Sequence, residues 1–248
     1  MGARTELGSP LFLLNLKAYP RSIGTGAREM GRTLAQFSKM TGVSVAIAPT
    51  PPLVGLLASE LTIPVLAQHA DPFEAGARTG HVPPAAVRAS GAVGSLVNHS
   101  EHRLPRDAIA AVVRLLEAEG LTAVVCAGDV AESRELAALC KPPYLAVEPP
   151  ELIGGDVSVS RAKPEVIRAT VEAVHQVSPA TRVLCGAGIK NAEDVRRSLE
   201  LGAEGVLVAS AVANARDPPA AIQELLGGFP SAPAHRAPTP PAAAPGTG

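Results

Sequence analysis

Eight short apolar runs recur along the chain, and each is followed by a turn and a longer segment. The runs are LFLLNL from Leu11, SVAIA from Ser44, PVLA from Pro64, GSLVN from Gly94, AVVCA from Ala123, YLAVE from Tyr144, RVLCG from Arg182 and GVLVA from Gly205. Short runs rich in Val, Leu and Ile indicate strands that are buried on both faces, as in a parallel sheet. We therefore predict eight buried β-strands.

The segments between the runs carry apolar residues at helical spacing. The clearest are Arg28–Met40, Arg106–Glu119, Pro164–Val177, Ala192–Leu201 and Ala211–Leu226. Pro164 suits the first turn of a helix, and Asn191 is placed to cap another. The first run lacks the G-x-G-x-x-G turn that is usual in an open doubly wound sheet. Strand and helix alternate throughout, which predicts an α/β fold: a single closed (β/α)₈ barrel, the TIM barrel.

The barrel is expected to span residues 11–229, with residues 1–10 as an N-terminal extension. Residues 230–248 are mostly Pro, Ala and Gly without an apolar period, so we predict a disordered Pro/Ala-rich tail. The tail has few charges and no aromatic anchors, which favours an inert extension over a partner-binding segment.

Composition excludes several classes of function. The formal net charge is −1, so no field of the whole molecule would attract nucleic acid or an anionic membrane. The three cysteines lack C-x-x-C spacing, which argues against a disulfide framework or a thiolate zinc site. LFLLNL is too short for a membrane span or a signal-peptide core. We expect a soluble cytoplasmic protein.

Polar side chains stand where three predicted strands end. Asn15 and Lys17 end the first strand, NHSEH with His99 ends the fourth, and Glu148 ends the sixth. Each has an ordinary structural explanation by itself, such as a solvated rim residue or a capping histidine. In a barrel, however, these strand ends surround one mouth, where catalytic groups lie. Their joint placement favours a catalytic site. His99 and His102 offer no third ligand nearby, so no metal is expected.

The connections after the last three strands point to a phosphate ligand. Residues 149–163 form a long loop, with PP at one end and GG inside, which is typical of a lid. Glu151 in this loop is a rival base, although Glu148 is fixed by its strand. CGAGI after the seventh strand and VASA after the eighth leave backbone N–H groups open to an anion. Barrels commonly bind phosphate at these two positions.

Together these segments resemble the triosephosphate isomerase family, in particular its archaeal-type branch. The resemblance rests on NLK, AQHADPFEAGARTGHV, NHSEH, EPPELIG, VSRAKPEVI, CGAGI and GAEGVLVASA. It implies interconversion of dihydroxyacetone phosphate and D-glyceraldehyde 3-phosphate through an enediolate, without a metal or redox cofactor. It also implies a homo-oligomer, either a dimer or a tetramer, in which the loop around Thr79 reaches a neighbouring subunit.

The resemblance assigns roles to individual residues. Glu148 would be the base, His99 the electrophile and Lys17 the cation that holds substrate, with Glu101 supporting the lysine. The expected substrate-binding residues are Asn15, Lys17, Ile153, Gly154, Gly188, Ala209 and Ser210. Two segments depart from the family pattern: GGD, Gly154 to Asp156, stands where GTG is usual, and CAGD follows the fifth strand.

Two alternatives remain open from the residues. A synthase acting on another phosphorylated substrate would suit CGAGI and VASA equally, but would not be expected to combine Lys17, His99 and Glu148. A catalytically silent barrel that binds triose phosphate as a sensor would draw support only from Asp156, the added carboxylate in the predicted lid.

Overall fold

The computed structural model describes residues 7–149 and 164–230, in which β-strands and helices alternate. The strands are β1 (Leu11–Asn15), β2 (Ser44–Ala48), β3 (Leu66–Ala67), β4 (Gly94–Val97), β5 (Thr122–Ala127), β6 (Tyr144–Val147), β7 (Arg182–Cys185) and β8 (Gly205–Val208). The α-helices are α1 (Thr25–Thr41), α2 (Val54–Glu60), α3 (Pro84–Ala89), α4 (Arg106–Ala118), α5 (Val130–Cys140), α6 (Pro164–Val177), α7 (Ala192–Glu200), α8 (Ser210–Ala213) and α9 (Pro218–Leu226). Short 3₁₀ turns lie at Pro20–Ser22 and Pro51–Leu53.

The strands form one parallel sheet that closes on itself. Its order is β2-β1-β8-β7-β6-β5-β4-β3. The two outer strands meet through a parallel bridge between Ile47 and Val65, where the Ile47 N–H donates to the Pro64 carbonyl at 3.1 Å. This closure confirms the predicted TIM barrel.

Alternate residues of each strand face opposite sides of the barrel wall. In β1, Leu11 and Leu13 pack in the interior, whereas Phe12 and Leu14 pack toward the helices. The same alternation in the other strands brings further side chains into the interior beside Leu11 and Leu13. They are Ala46, Ala48, Leu66, Leu96, Val124, Cys126, Tyr144, Ala146, Leu184 and Leu207. Successive side chains of a strand point to opposite faces. A residue two positions beyond the last interior side chain of a strand therefore also points inward, at the open end of the barrel.

The helices cover the outside of the barrel with one apolar face each. In α4 the buried residues are Ile109, Val112, Val113 and Leu116, a spacing of three and four that defines a single stripe. The stripe joins the outer core between strands and helices. No helix in the described ranges is long and apolar enough to cross a membrane.

The predicted strands are all present, with small shifts at their ends, and β3 is reduced to Leu66–Ala67. The single helix predicted over Ala211–Leu226 was wrong, because the chain forms two helices there, α8 and α9. Asp217 starts α9 by accepting a hydrogen bond from the Ala220 N–H at 3.0 Å, and Pro218 occupies its first turn. Proline is disfavoured in a helix interior, which explains the break.

The predicted boundaries of the barrel at residues 11 and 229 stay predictions. Residues 7–10, just before the first boundary, are described by the structure. Leu7, in the expected extension, lies in the barrel interior with 2% of its surface exposed. The Tyr144 hydroxyl donates to the Leu7 carbonyl at 2.5 Å. Most of the predicted lid, residues 150–163, and most of the predicted tail, residues 231–248, lie outside the described residues.

Candidate active site

A cavity of about 240 Å³ lies at the carboxyl ends of the strands. It is lined by all the predicted site residues that the structure describes: Asn15, Lys17, His99, Glu101, Glu148, Gly188, Ala209 and Ser210. The other two, Ile153 and Gly154, lie outside the described residues. A larger cavity of about 500 Å³, lined by Leu7 and Tyr144, lies at the opposite end of the barrel and includes none of these side chains. Another of about 650 Å³, beside the end of β5, includes only Glu148 among them. We place the candidate site in the first cavity because the polar groups meet there.

The alternation within the strands explains why these side chains meet. Asn15 follows Leu11 and Leu13 in phase, and Glu148 follows Tyr144 and Ala146. Both polar side chains therefore continue an interior row, and both are buried, at 3% and 4% exposure. The strand directs each group inward while the barrel wall excludes most of the solvent.

Lys17 has an unusual backbone conformation, held by a buried amide. Its φ is +47°, in the left-handed region that a residue with a side chain seldom adopts. Its N–H donates to Asn15 Oδ1 at 2.9 Å. Gln68 Nε2 lies 3.0 Å from the Lys17 carbonyl, 3.0 Å from the Ala48 carbonyl and 3.2 Å from Asn15 Oδ1. Gln68 therefore ties the lysine turn to β2.

The Lys17 side chain reaches the loop after β4. Its Nζ lies 2.8 Å from Glu101 Oε1, and Glu101 is largely exposed. The Glu101 N–H donates to His99 Nδ1 at 3.2 Å. Because Nδ1 accepts this bond, the proton of a neutral His99 ring resides on Nε2. The donor nitrogen of the ring therefore faces the cavity.

Glu148 lies opposite that nitrogen. Its Oε1 is 3.4 Å from His99 Nε2. Its Oε2 is buried and has no hydrogen-bond partner among the described residues. A carboxylate oxygen carries lone pairs that can accept a proton from a group in the cavity. Nearby, burial and then the Glu148 charge raise the pKa of the Cys126 thiol well above its usual range. The thiol therefore remains protonated beside the carboxylate.

Asn98 fixes the start of the loop that carries His99. Its φ is +62°, and its side chain is 1% exposed. Its Nδ2 donates to the Cys126 carbonyl at 2.9 Å, and its Oδ1 accepts from the Leu104 N–H at 2.9 Å. One side chain thus joins β5 to the far end of the loop, so the position of the imidazole is defined by the barrel wall.

The opposite side of the cavity is built from small residues after β7 and β8. Gly188 adopts φ +69°, and Ala209 and Ser210 precede or begin α8. Small side chains let a ligand approach the main chain, where N–H groups at helix starts lack partners within the helix. This wall suits an anion. Within the described ranges, no group of three or more His, Cys, Asp or Glu residues is arranged to hold a metal ion.

The sequence pattern indicates no role for four residues that the structure places in or around the site: Gln68, Asn98, Gly186 and Lys190. The alternation within the strands could have indicated the first three. Gln68, Asn98 and Gly186 each lie two positions beyond an interior residue, namely Leu66, Leu96 and Leu184. Lys190 lines the cavity through the turn after β7, and its position could have been suspected from its place directly after CGAGI.

A closed parallel barrel whose polar side chains converge at the carboxyl ends of its strands has the construction of a TIM-barrel enzyme. The family model for triosephosphate isomerase matches residues 10–225. A triosephosphate isomerase of Methanosarcina acetivorans is 44% identical over 220 residues, which cover 89% of this chain and 99% of the relative. One of Methanothermus fervidus is 46% identical over 217 residues, 88% of this chain and 97% of the relative. One of Caldivirga maquilingensis is 44% identical over 216 residues, 87% of this chain and 96% of the relative. The chain belongs to the triosephosphate isomerase family.

Proposed function

We propose that Glu148, His99 and Lys17 carry out the reaction of this family, the interconversion of dihydroxyacetone phosphate and D-glyceraldehyde 3-phosphate. The observation that carries the proposal is a continuous set of contacts across one cavity. Lys17 Nζ contacts Glu101, the Glu101 N–H donates to His99, and His99 Nε2 lies 3.4 Å from Glu148. Base, donor and cation are thus held within reach of one small substrate.

Glu148 acts as the general base. It removes a proton from the carbon beside the carbonyl, and the electron pair of that C–H bond moves toward the carbonyl oxygen to give an enediolate. It then returns the proton to the adjacent carbon, so no oxidant or reductant is consumed. Its burial supports this role, as does the lack of a hydrogen-bond partner for Oε2 among residues 7–149 and 164–230.

His99 and Lys17 stabilise the oxygen on which negative charge develops. The His99 Nε2–H donates to it and moves protons between the two oxygens, and the lysine supplies positive charge. These are the roles that triosephosphate isomerases are known to give to a glutamate and a histidine. Glu101 supports the arrangement because it contacts both Lys17 Nζ and the His99 ring.

The remaining predicted residues bind the substrate. Asn15 lies beside Lys17, and Gly188, Ala209 and Ser210 offer main-chain groups to the phosphate. Ile153 and Gly154 complete this set in the proposal, on the strength of the family resemblance.

We further propose a cytoplasmic homo-oligomer, a dimer or a tetramer, that serves glycolysis and gluconeogenesis. An exposed loop supports the assembly. The Asp71 N–H and the Val82 carbonyl are 2.8 Å apart, and the Val82 N–H donates to Asp71 Oδ2 at 2.6 Å. These bonds close the base of the loop, whose exposed tip includes Thr79. An exposed loop that is closed at its base suits contact with a second copy.

The test is a coupled assay of isomerisation on wild type and Glu148→Gln, with Glu135→Gln as a surface control. Loss of one general base should lower kcat by about 10²- to 10⁴-fold. Calorimetry with inorganic phosphate should show that the variant still binds the anion, and the control should match wild type. A wild type that binds triose phosphate without turning it over would replace this proposal with the silent sensor. A Glu148→Gln variant of full activity would remove Glu148 from the mechanism.

A further inference from the structure

The ionisable side chains around the cavity are poorly balanced for a phosphate ligand. Two carboxylates, Glu101 and Glu148, line it together with Lys17. Their formal charges sum to −1, and Lys17 is already in contact with Glu101 at 2.8 Å. A phosphate monoester carries a charge of about −1.5 to −2 at neutral pH. With these three groups alone, the cavity would repel the anion that it must admit.

Lys190 is the second lysine that lines the cavity. It follows Gly188 and Ile189 in the turn after β7, next to the small-residue wall that suits an anion. Including its charge brings the formal sum of the lining side chains from −1 to zero. The main-chain N–H groups of that wall then act without a net repulsive field.

The position of Lys190 is set by the helix that follows it. Its N–H donates to Asp194 Oδ2 at 3.1 Å, and Asp194 is 2% exposed. The Asp194 N–H in turn bonds to Asn191 Oδ1 at 3.0 Å, which caps α7. The backbone of Lys190 is therefore anchored to the first turn of α7. The residue itself is exposed and lines the cavity.

We propose that Lys190 is a substrate-binding residue that provides a cation for the phosphate group, in addition to main-chain N–H groups. The inference rests on the proposed function, because it requires a phosphorylated substrate in this cavity. The phosphate group takes no part in the proton transfer, so a cation that binds it acts equally on bound substrate and transition state. Such an interaction affects KM and leaves kcat unchanged.

The test compares Lys190→Gln and Lys190→Glu with Lys39→Gln and Lys39→Glu. Lys39 is exposed near the end of α1, at the opposite end of the barrel from the cavity, and the paired variants change the net charge identically. Two readouts are used at low salt: KM for dihydroxyacetone phosphate, and the dissociation constant of inorganic phosphate by calorimetry. Thermal unfolding verifies that each variant is folded.

We expect Lys190→Gln to raise both constants about three- to fivefold, the effect of losing one partly exposed charge contact, with kcat within about twofold. Lys190→Glu should raise them further, and 0.5 M salt should reduce the differences, since exposed charges are screened over about 4–5 Å at that ionic strength. Unchanged constants in Lys190→Gln, or equal changes in the Lys39 variants, would overturn the proposal. The phosphate measurement needs no turnover, so it tests Lys190 even if Glu148→Gln refutes the catalytic assignment.

Discussion

A methyl group on Gly186 would lie 2.5 Å from Cγ of Glu148 and 3.1 Å from the Val147 carbonyl oxygen. The first separation is shorter than real Cβ contacts allow. The Glu148 side chain can therefore occupy its position only because residue 186 is a glycine and has no side chain. Gly186 lines the same cavity and follows β7 directly. The carboxylate of the proposed base is thus positioned by the neighbouring strand as well as by its own.

Gly186→Ala should impair catalysis more than folding. The added methyl group displaces Glu148, and a shift of about 1 Å in a catalytic group can cost roughly 10²-fold in rate. We expect a loss of that order in kcat by the coupled assay. Gly55→Ala is the control, because its nearest contact is an ordinary 3.7 Å. Equal kcat in Gly186→Ala and wild type would show that the Glu148 position tolerates displacement.

Gln68→Leu should weaken both the lysine turn and the barrel. Leucine has nearly the same size but cannot donate, so the Lys17 carbonyl loses a donor, whereas the Ala48 carbonyl keeps the Leu16 N–H at 3.0 Å. A lost hydrogen bond costs about 0.5–1.5 kcal/mol in the free energy of unfolding. Because Lys17 binds substrate in the proposed mechanism, KM should also rise by about tenfold. Urea unfolding and steady-state kinetics measure the two effects.

The control for this substitution is Gln36→Leu on the exposed face of α1. It makes the same chemical change away from the cavity and should leave KM unaltered. If Gln68→Leu lowers stability but keeps the wild-type KM, the amide has only a structural role.

Protonation of His69 should lower the free energy of unfolding in mild acid, compared with neutral pH. Burial lowers the pKa of its imidazole below the usual 6.5, although the contact of Nε2 with Asp71 Oδ1 at 3.3 Å opposes this. The His102 ring is stacked on it at 4.0 Å, and His81 contacts the same carboxylate. The unfolded chain therefore binds a proton at a higher pH than the folded one, and stability falls as pH drops below about 6.5.

The measurement for His69 is the free energy of unfolding in urea at several pH values between 5 and 8. His69→Asn cannot take up the proton, so its stability should depend less steeply on pH across this window. The slope is the readout, because the substitution also removes the stacked ring and changes the absolute value. Parallel curves for the two proteins would contradict the expectation.

The strands could be predicted from the sequence because their signal is local. Each is a short run buried on both faces, and a residue such as Glu148 is conspicuous at the end of one. The cap at Asn191 could also be predicted, and the structure confirms it through the Asp194 N–H. The break before α9 was visible in Pro218 and Pro219, but the apolar spacing on either side favoured one continuous helix.

The support of the site could not be predicted in the same way, because it is tertiary. Gln68 acts on Lys17 and Ala48, which lie 51 and 20 residues away along the chain. Asn98 acts on Cys126, 28 residues away. Amides of this kind look like any polar residue in a loop until the barrel brings their acceptors to them. The left-handed conformation of Lys17 is only partly local, since Asn15 accepts from its N–H whereas Gln68, directly after β3, donates to its carbonyl.

The short strand β3 links the integrity of the barrel to its activity. Between β2 and β3 the backbone pairing consists of a single bridge, and the Gln68 amide adds a link from the end of β3 to Ala48 and Lys17. If this junction frays, Lys17 loses its restraint while the other strand pairs remain formed. A molecule opened only there would keep nearly all of its circular dichroism and yet misplace the Lys17 ammonium, so turnover would fall before the spectrum changes.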